Sequence, residues 1–207
     1  MIFTPDFSKS LEQSFFCRDT VTVAKDLLGK VIIKKEQNDS YLASIITETE
    51  AYLSDNDLAS HSAVGKTERN KAMFEKGGIA YVYLIYGIHY CFNIVTEEEN
   101  IGSAVLIRAS IPILGIDVMK ARRNCSNHKK LCLGPGNFGK AYGFDLSYNF
   151  KKLYEPSLFI QSLDSDINLS DKIINTPRKG ITKSPELPLR FFLKNDLFLF
   201  QKYLPLV

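Results

Sequence analysis

At 207 residues, with 45% hydrophobic and 24% charged residues, the chain is long enough to bury a full core without disulfide or metal staples. Its formal net charge of +3 permits a nucleic-acid partner without demanding one, so clustering of charge matters more than the sum. No apolar run can span a bilayer, and Met1-Ile2-Phe3-Thr4-Pro5-Asp6 has no basic region before an apolar stretch; the expectation is a soluble cytoplasmic protein with no membrane partner.

No linker, low-complexity block or repeat divides the chain, so residues 1–207 read as one domain. Val21, Ala24, Leu27 and Leu28 recur at helical spacing behind Asp19 or Thr20, either of which can cap the start, and Gly29 suits the end. Val31-Ile32-Ile33 reads as a strand, Asn38-Asp39-Ser40 as a turn, and residues 41–50 as the partner strand, which brings Glu50 to a strand end. Residues 53–66 are polar and irregular, and residues 67–74 suit a short helix broken by Gly77-Gly78. β-rich runs at 79–85 and 90–95 flank Tyr86-Gly87-Ile88-His89, an antiparallel pair with a tight tip. A strand at 103–109 is ended by Pro112, and a helix follows at 115–123. Gly134-Pro135-Gly136 reads as a rigid turn before a short helix at 137–142, with late strands at 158–161 and 190–193. Consecutive strands with helices at the edges predict an α+β fold around an antiparallel sheet.

Glu48 and Glu50 are two apart, so on a strand they share a face. Such a pair fits a solvated sheet face, a general base, or the two acids of a glycoside hydrolase. Tyr52, His61 and Tyr83 are ordinary packing residues singly, but near Glu50 they suit a pocket gripping a flat and even cationic ring. Tyr86 and Ile88 stand at the hairpin tip, either as a wedge into stacked bases or covered by the 53–66 loop. One basic stretch carries Lys66, Arg69, Lys71 and Lys76; another carries Lys120, Arg122, Arg123, Lys129 and Lys130. Charge runs are commonly solvated faces, yet two of them flanking an aromatic hairpin also suit phosphate contacts. Backbone N–H groups around Gly134 and Gly136, before a helix, can bind a phosphate. Cys17, Cys91, Cys125 and Cys132 form no C-x-x-C pair, and Cys125, His128 and Cys132 fit no usual zinc spacing, so reduced thiols and no metal are expected.

Assembled in order, Asp26-Leu27-Leu28-Gly29-Lys30, Glu48-Thr49-Glu50-Ala51-Tyr52, His61, Met73-Phe74, Tyr81-Val82-Tyr83, Tyr86-Gly87, Asn93, Leu106-Ile107-Arg108-Ala109, Gly134-Pro135-Gly136 and Pro188-Leu189-Arg190-Phe191 resemble the alkyladenine (3-methyladenine) DNA glycosylases, also called methylpurine-DNA glycosylases. The resemblance covers about residues 26–192. It implies a curved, partly open antiparallel β-structure with surrounding helices. It implies that Glu50 activates the attacking water and Arg108 helps hold that water and a nearby phosphate. Tyr52, His61 and Tyr83 would sandwich the extruded base, Tyr86 would fill the gap in the duplex, and Asn93 would disfavour the exocyclic amine of normal guanine. Glu68, Glu97-Glu98-Glu99 and Asn137 depart from the pattern and bear on the phosphate contacts, not on the pocket.

The activity so implied is monofunctional excision of a damaged purine from double-stranded DNA, without cofactor or obligate protein partner. 3-Methyladenine and 7-methylguanine are the first candidates; hypoxanthine and ethenoadenine are wider ones. No lysine is placed beside Glu50 as an obvious Schiff-base nucleophile, so water attack that leaves an intact abasic site is expected. Two rivals are a non-catalytic DNA- or RNA-binding module and a hydrolase of small nucleosides using Glu48 and Glu50.

Overall fold

The computed structural model describes residues 3–163 and 168–204. Two short helices open the chain, α1 (Gln13–Phe16) and α2 (Thr20–Asp26). α2 begins where the Asp19 carboxylate accepts the Thr22 N–H at 2.8 Å. Next come strands β1 (Val31–Lys35), β2 (Tyr41–Tyr52), β3 (Ala80–Ile85), β4 (His89–Thr96) and β5 (Ser103–Leu114). Helices α3 (Ile116–Arg123) and α4 (Pro135–Tyr142) follow, then β6 (Tyr154–Glu155), β7 (Leu158–Gln161), β8 (Ile173–Thr176), β9 (Arg190–Leu193) and α5 (Asp196–Leu199). All strand pairs are antiparallel, in the order β3-β4-β5-β2-β1-β7-β6, with β9 joining β2 to β8. The sheet curls into a half-barrel with the helices around it, as the family resemblance implied.

Strand alternation sorts the side chains. Ala80, Val82, Phe92, Ile94, Val105 and Ile107 enter the main core. Their neighbours Tyr81, Tyr83, Cys91, Asn93, Ala104 and Leu106 face the opposite, concave side. α4 lies against β4, where Phe92 stacks on Phe144 with centroids 4.2 Å apart and meets Phe138 edge-on. The approach is close because Gly139 has no side chain; a Cβ there would stand 2.1 Å from the Tyr90 carbonyl oxygen.

Three sequence expectations change. β5 does not stop before Pro112 but runs to Leu114. Pro112 is tolerated because it faces Ser44 at a register shift, where the ladder is already interrupted. Residues 67–74 form a turn and one 3-10 turn, Lys71–Phe74, rather than a helix. Gly134-Pro135-Gly136 is not a separate turn: Gly134 caps α4, and Pro135 takes its first position, where a missing N–H costs nothing. All four cysteines are free. Among the described residues no His/Cys/Asp/Glu group has metal-binding geometry, and the His128 ring instead bonds the Pro112 carbonyl at 2.9 Å. No helix among them is long and apolar enough to cross a membrane.

Alanine at an ordinary helix-interior glycine stabilises by up to about 1 kcal/mol. Gly139→Ala is expected to do the reverse, by about 1–3 kcal/mol, since α4 must lift off β4. Urea unfolding checks the sign.

Candidate active site

β2 changes partners along its length. Its first half pairs with β1 (Val31↔Ile45 to Lys35↔Tyr41), and from Glu48 onward the same edge is taken by β9. β5 holds the other edge. Glu50 therefore lies between Leu106 and Arg190 in the interior of the sheet, not at a strand end. Its side chain has no solvent exposure. Three groups donate to the carboxylate: Lys179 N–H to Oε1 at 2.8 Å, Tyr52 O–H to Oε2 at 3.0 Å, and Arg108 Nη1 to Oε2 at 3.2 Å. The register slips between Glu48↔Ala109 and Thr49↔Ile107, leaving Arg108 as the extra residue of a bulge. Its guanidinium spans both acids, with Nε 3.2 Å from Glu48. Glu48 is held further by Arg190, so it is a brace for Arg108 rather than a second free acid.

Beside this carboxylate lies a cavity of about 470 Å³. Strand alternation places Tyr81, Tyr83, Cys91, Asn93, Leu106 and Arg108 on its wall. His61 begins a 3-10 turn, His61–Val64, and its Nδ1 is 2.8 Å from the Tyr81 hydroxyl. Its ring meets Tyr83 edge-on, centroids 4.5 Å apart, so His61 and Tyr83 form one wall and no ring fits between them. Tyr52 lines the same cavity separately. The Asn93 amide NH₂ donates to the Tyr81 and Cys91 carbonyls at 3.0 and 3.4 Å, which fixes the amide's orientation. The start of α4 and residues 179–181 complete the lining. Glu50 itself does not reach the cavity; the residues holding it do.

Tyr86 stands at the cavity mouth, 81% exposed, and Ile88 beside it is 72% exposed. The tip is three residues, Tyr86-Gly87-Ile88, between the paired Ile85 and His89, and both Tyr86 and Gly87 have positive φ (53° and 71°), unusual for a residue as bulky as tyrosine. The tip is thus uncovered, which removes the alternative that the 53–66 loop buries it. Arg69 lines a second groove of about 480 Å³ that continues past His61, and its guanidinium is 5.9 Å from the Tyr83 ring centre. Lys71 is not brought there; it pairs with Glu68 at 2.8 Å. Gly134 and Gly136 lie on the cavity edge, Gly136 against the His89 ring.

Sequence reasoning passed over several contributors. The Lys179 backbone N–H lies beside Glu50, and the residue itself is solvent-exposed at the cavity edge. Only the β8–β9 connection brings it there, so no local pattern announces it. Asn70 ties down the His61 turn by donating to the His61 and Gly65 carbonyls, each at 2.8 Å. Cys91 had a readable signal, two residues before Asn93 on the same strand face.

The sequence model of the family described as methylpurine-DNA glycosylase (MPG) matches residues 14–197. A protein of Methanoculleus marisnigri is 44% identical over 91% of this chain and 97% of its own length. One of Carboxydothermus hydrogenoformans is 40% identical over 93% and 99%. One of Francisella tularensis is 39% identical over 88% and 94%. Each bears the name "Putative 3-methyladenine DNA glycosylase". The chain belongs to the methylpurine-DNA glycosylase family.

In this glycosylase the titrating groups are set by burial. Burial raises the Glu50 carboxyl above its ordinary value, while Arg108, the Lys179 N–H and the Tyr52 hydroxyl pull it back. Burial, and then Arg69, lowers His61, which keeps the imidazole neutral at neutral pH. Burial pushes Tyr81 up to about 12 and raises Tyr52 and Tyr83 as well, so the pocket phenols stay protonated.

Removing Arg108 leaves Glu50 buried without its cation. Arg108→Met is expected to cost about 3–5 kcal/mol at neutral pH. It also raises the folded-state titration of Glu50 further above its unfolded value. The deficit relative to wild type therefore grows as pH rises through that titration and shrinks in acid, where Glu50 is protonated in both. Urea unfolding at pH 5 and pH 8 measures both the cost and its direction.

Proposed function

We propose that this protein excises methylated purines from duplex DNA by flipping the damaged nucleotide into the 470 Å³ cavity and hydrolysing its N-glycosidic bond. The observation that carries this reading is the buried Glu50 carboxylate, held by Arg108, Tyr52 and the Lys179 N–H directly behind an aromatic-walled cavity. The extruded base stacks between Tyr52 on one side and the His61–Tyr83 wall on the other. Phenol rings attract a cationic base such as 3-methyladenine or 7-methylguanine. The hydrogen bond between His61 Nδ1 and the Tyr81 hydroxyl holds the imidazole in place, with the proton's side set by the tautomer. Asn93 borders the pocket and narrows the choice of purine.

The C1′–N bond breaks with its electron pair leaving on the base, and positive charge develops on the sugar. A base already cationic departs neutral. A water oxygen then bonds to C1′ and gives its proton to Glu50, whose negative charge also favours the developing cation. Water must reach Glu50 by displacing one of its donors, and Arg108 then contacts both. The product is an abasic site in an intact strand. Lys179 is solvent-exposed, unlike the desolvated lysine that Schiff-base chemistry needs. Tyr86 occupies the space left in the duplex, with Ile88 against the neighbouring step. Arg69, Lys183 and the first N–H groups of α4 face phosphates along the two contiguous grooves. Lys71, paired with Glu68, contributes at most to the outer field.

Duplexes carrying single lesions, followed by chromatography of the released base, test the substrate class. Glu50→Gln is expected to slow release of 7-methylguanine by roughly 10²–10⁴-fold while keeping DNA binding; an unchanged rate would reject Glu50 as base. Because Glu50 acts ionised, single-turnover rate falls in acid, with its midpoint above the ordinary carboxylate value of 4.5. Tyr86→Ala weakens processing of duplex, whereas a nucleoside hydrolase would be indifferent to it and would turn over free nucleosides. A borohydride-trapped enzyme–DNA adduct would overturn the water mechanism in favour of Lys179.

A further inference from the structure

We propose that Asp57 and Arg178 are positioning residues that set both the ring of Tyr52 and the carboxylate of Glu50, an inference that rests on the roles proposed above for those two residues. Neither side chain has any solvent exposure, and neither lines the cavity. They form a two-pronged ion pair, Nη1 to Oδ2 and Nη2 to Oδ1, each 2.6 Å. Asp57 belongs to the loop after β2 and also accepts the Leu53 and Ala59 N–H groups at 3.0 and 3.1 Å. Arg178 belongs to the connection between β8 and β9 and donates again to the Ala51 carbonyl at 2.9 Å.

Three consequences converge on the site. First, the Arg178 guanidinium lies over the Tyr52 ring, 4.6 Å from its centre. One face of the ring is thereby occupied and the ring plane fixed, so the free face is the one the cavity sees. Second, the Tyr52 hydroxyl donates to Glu50, so the ring's position and the carboxylate's are linked. Third, the residue after Arg178 is Lys179, whose N–H donates to the other Glu50 oxygen. A single ion pair thus sets two of the three donors on the carboxylate.

The pair is poorly suited to be there for stability alone. Burying two charges removes two hydration shells, and an apolar pair of similar volume often serves folding as well or better. Arg178 Nε, moreover, is buried with no hydrogen-bond partner among the described residues. The fork geometry is what an apolar pair, or a lysine, cannot reproduce: it locks a loop, a strand carbonyl and an aromatic plane with one planar group.

The test uses Arg178→Lys and Asp57→Asn in the full chain, with a duplex containing one 7-methylguanine. Lysine keeps the charge and loses the fork; asparagine keeps the shape and loses the charge. Each folded variant is expected to release base roughly 10- to 100-fold more slowly under single-turnover conditions. Affinity for undamaged duplex stays unchanged. The acid limb of the rate moves to higher pH, because Glu50 loses part of the N–H donation that favours its ionised form. A merely structural pair lowers the melting temperature and leaves both the rate of the folded fraction and the acid limb alone; that result overturns the proposal. Measurements in concentrated sucrose, which favours the folded state, keep the test open if one variant is unstable. The rate defect persists there if the pair positions the site and vanishes if it only stabilises. The Glu50 reading falls separately: it fails if Glu50→Gln still releases base, whereas the positioning proposal fails if Glu50→Gln is inactive and both pair variants match wild type.

Discussion

A carboxylate with no solvent contact in the middle of a β-sheet must be surrounded by donors, and the architecture around Glu50 follows from meeting that demand. Two sheet neighbours cannot supply them, because their backbone groups are committed to the ladders. The donors come from three other places. Arg108 is the extra residue of a bulge in β5. Tyr52 is two residues on along the same strand face. The Lys179 N–H arrives from the connection between β8 and β9. The exchange of β1 for β9 along β2 is what lets that connection approach at all. Glu48 then keeps Arg108 from being drawn wholly to one acid.

The cavity's two aromatic sides differ mechanically. His61, Tyr81 and Tyr83 form a continuous set of edge contacts and one short hydrogen bond, on strand β3 and a turn pinned by Asn70. That side is part of a small second core with Met73, Val95 and Ala104. Tyr52 has no such cluster. It sits on the last residue of β2, held by a hydroxyl bond at one end and a cation on one face. A ring entering the cavity therefore meets one wall set by packing and one set by electrostatics.

Much of this was legible in the sequence wherever a local rule governs. The β-rich runs at residues 79–85, 90–95 and 103–109 placed the strands, and the register between them sets Tyr81, Tyr83 and Asn93 on the cavity wall. Asp19 and Gly29 marked α2. Local rules failed where tertiary context overrode them. Pro112 reads as a strand terminator, yet a bulge excuses its missing N–H. The basic runs read as phosphate claws, yet Lys71 pairs with Glu68, Lys76 with Glu98 and Lys120 with Asp117, while Arg122 grips Glu36 and the end of α4. Glu68 within the first run was the visible warning. Asp57, Arg178 and Lys179 were not readable, because their partners lie between 121 and 129 residues away along the chain.

The role proposed for Glu50, that of a general base, requires a group that is basic and ionised at once, and these demands oppose each other. A solvated glutamate is ionised but weakly basic. Burying it raises its proton affinity, but an isolated buried carboxyl simply takes up a proton and stops being a base. The three donors on Glu50 are the remedy: each favours the charged form, and together they return part of what burial added. Desolvation remains the larger influence, so the group stays more basic than a free carboxylate. The same balance explains why the donors are a guanidinium, a phenol and a backbone N–H rather than three cations. A second full charge on the carboxylate would work further against the basicity that burial supplies.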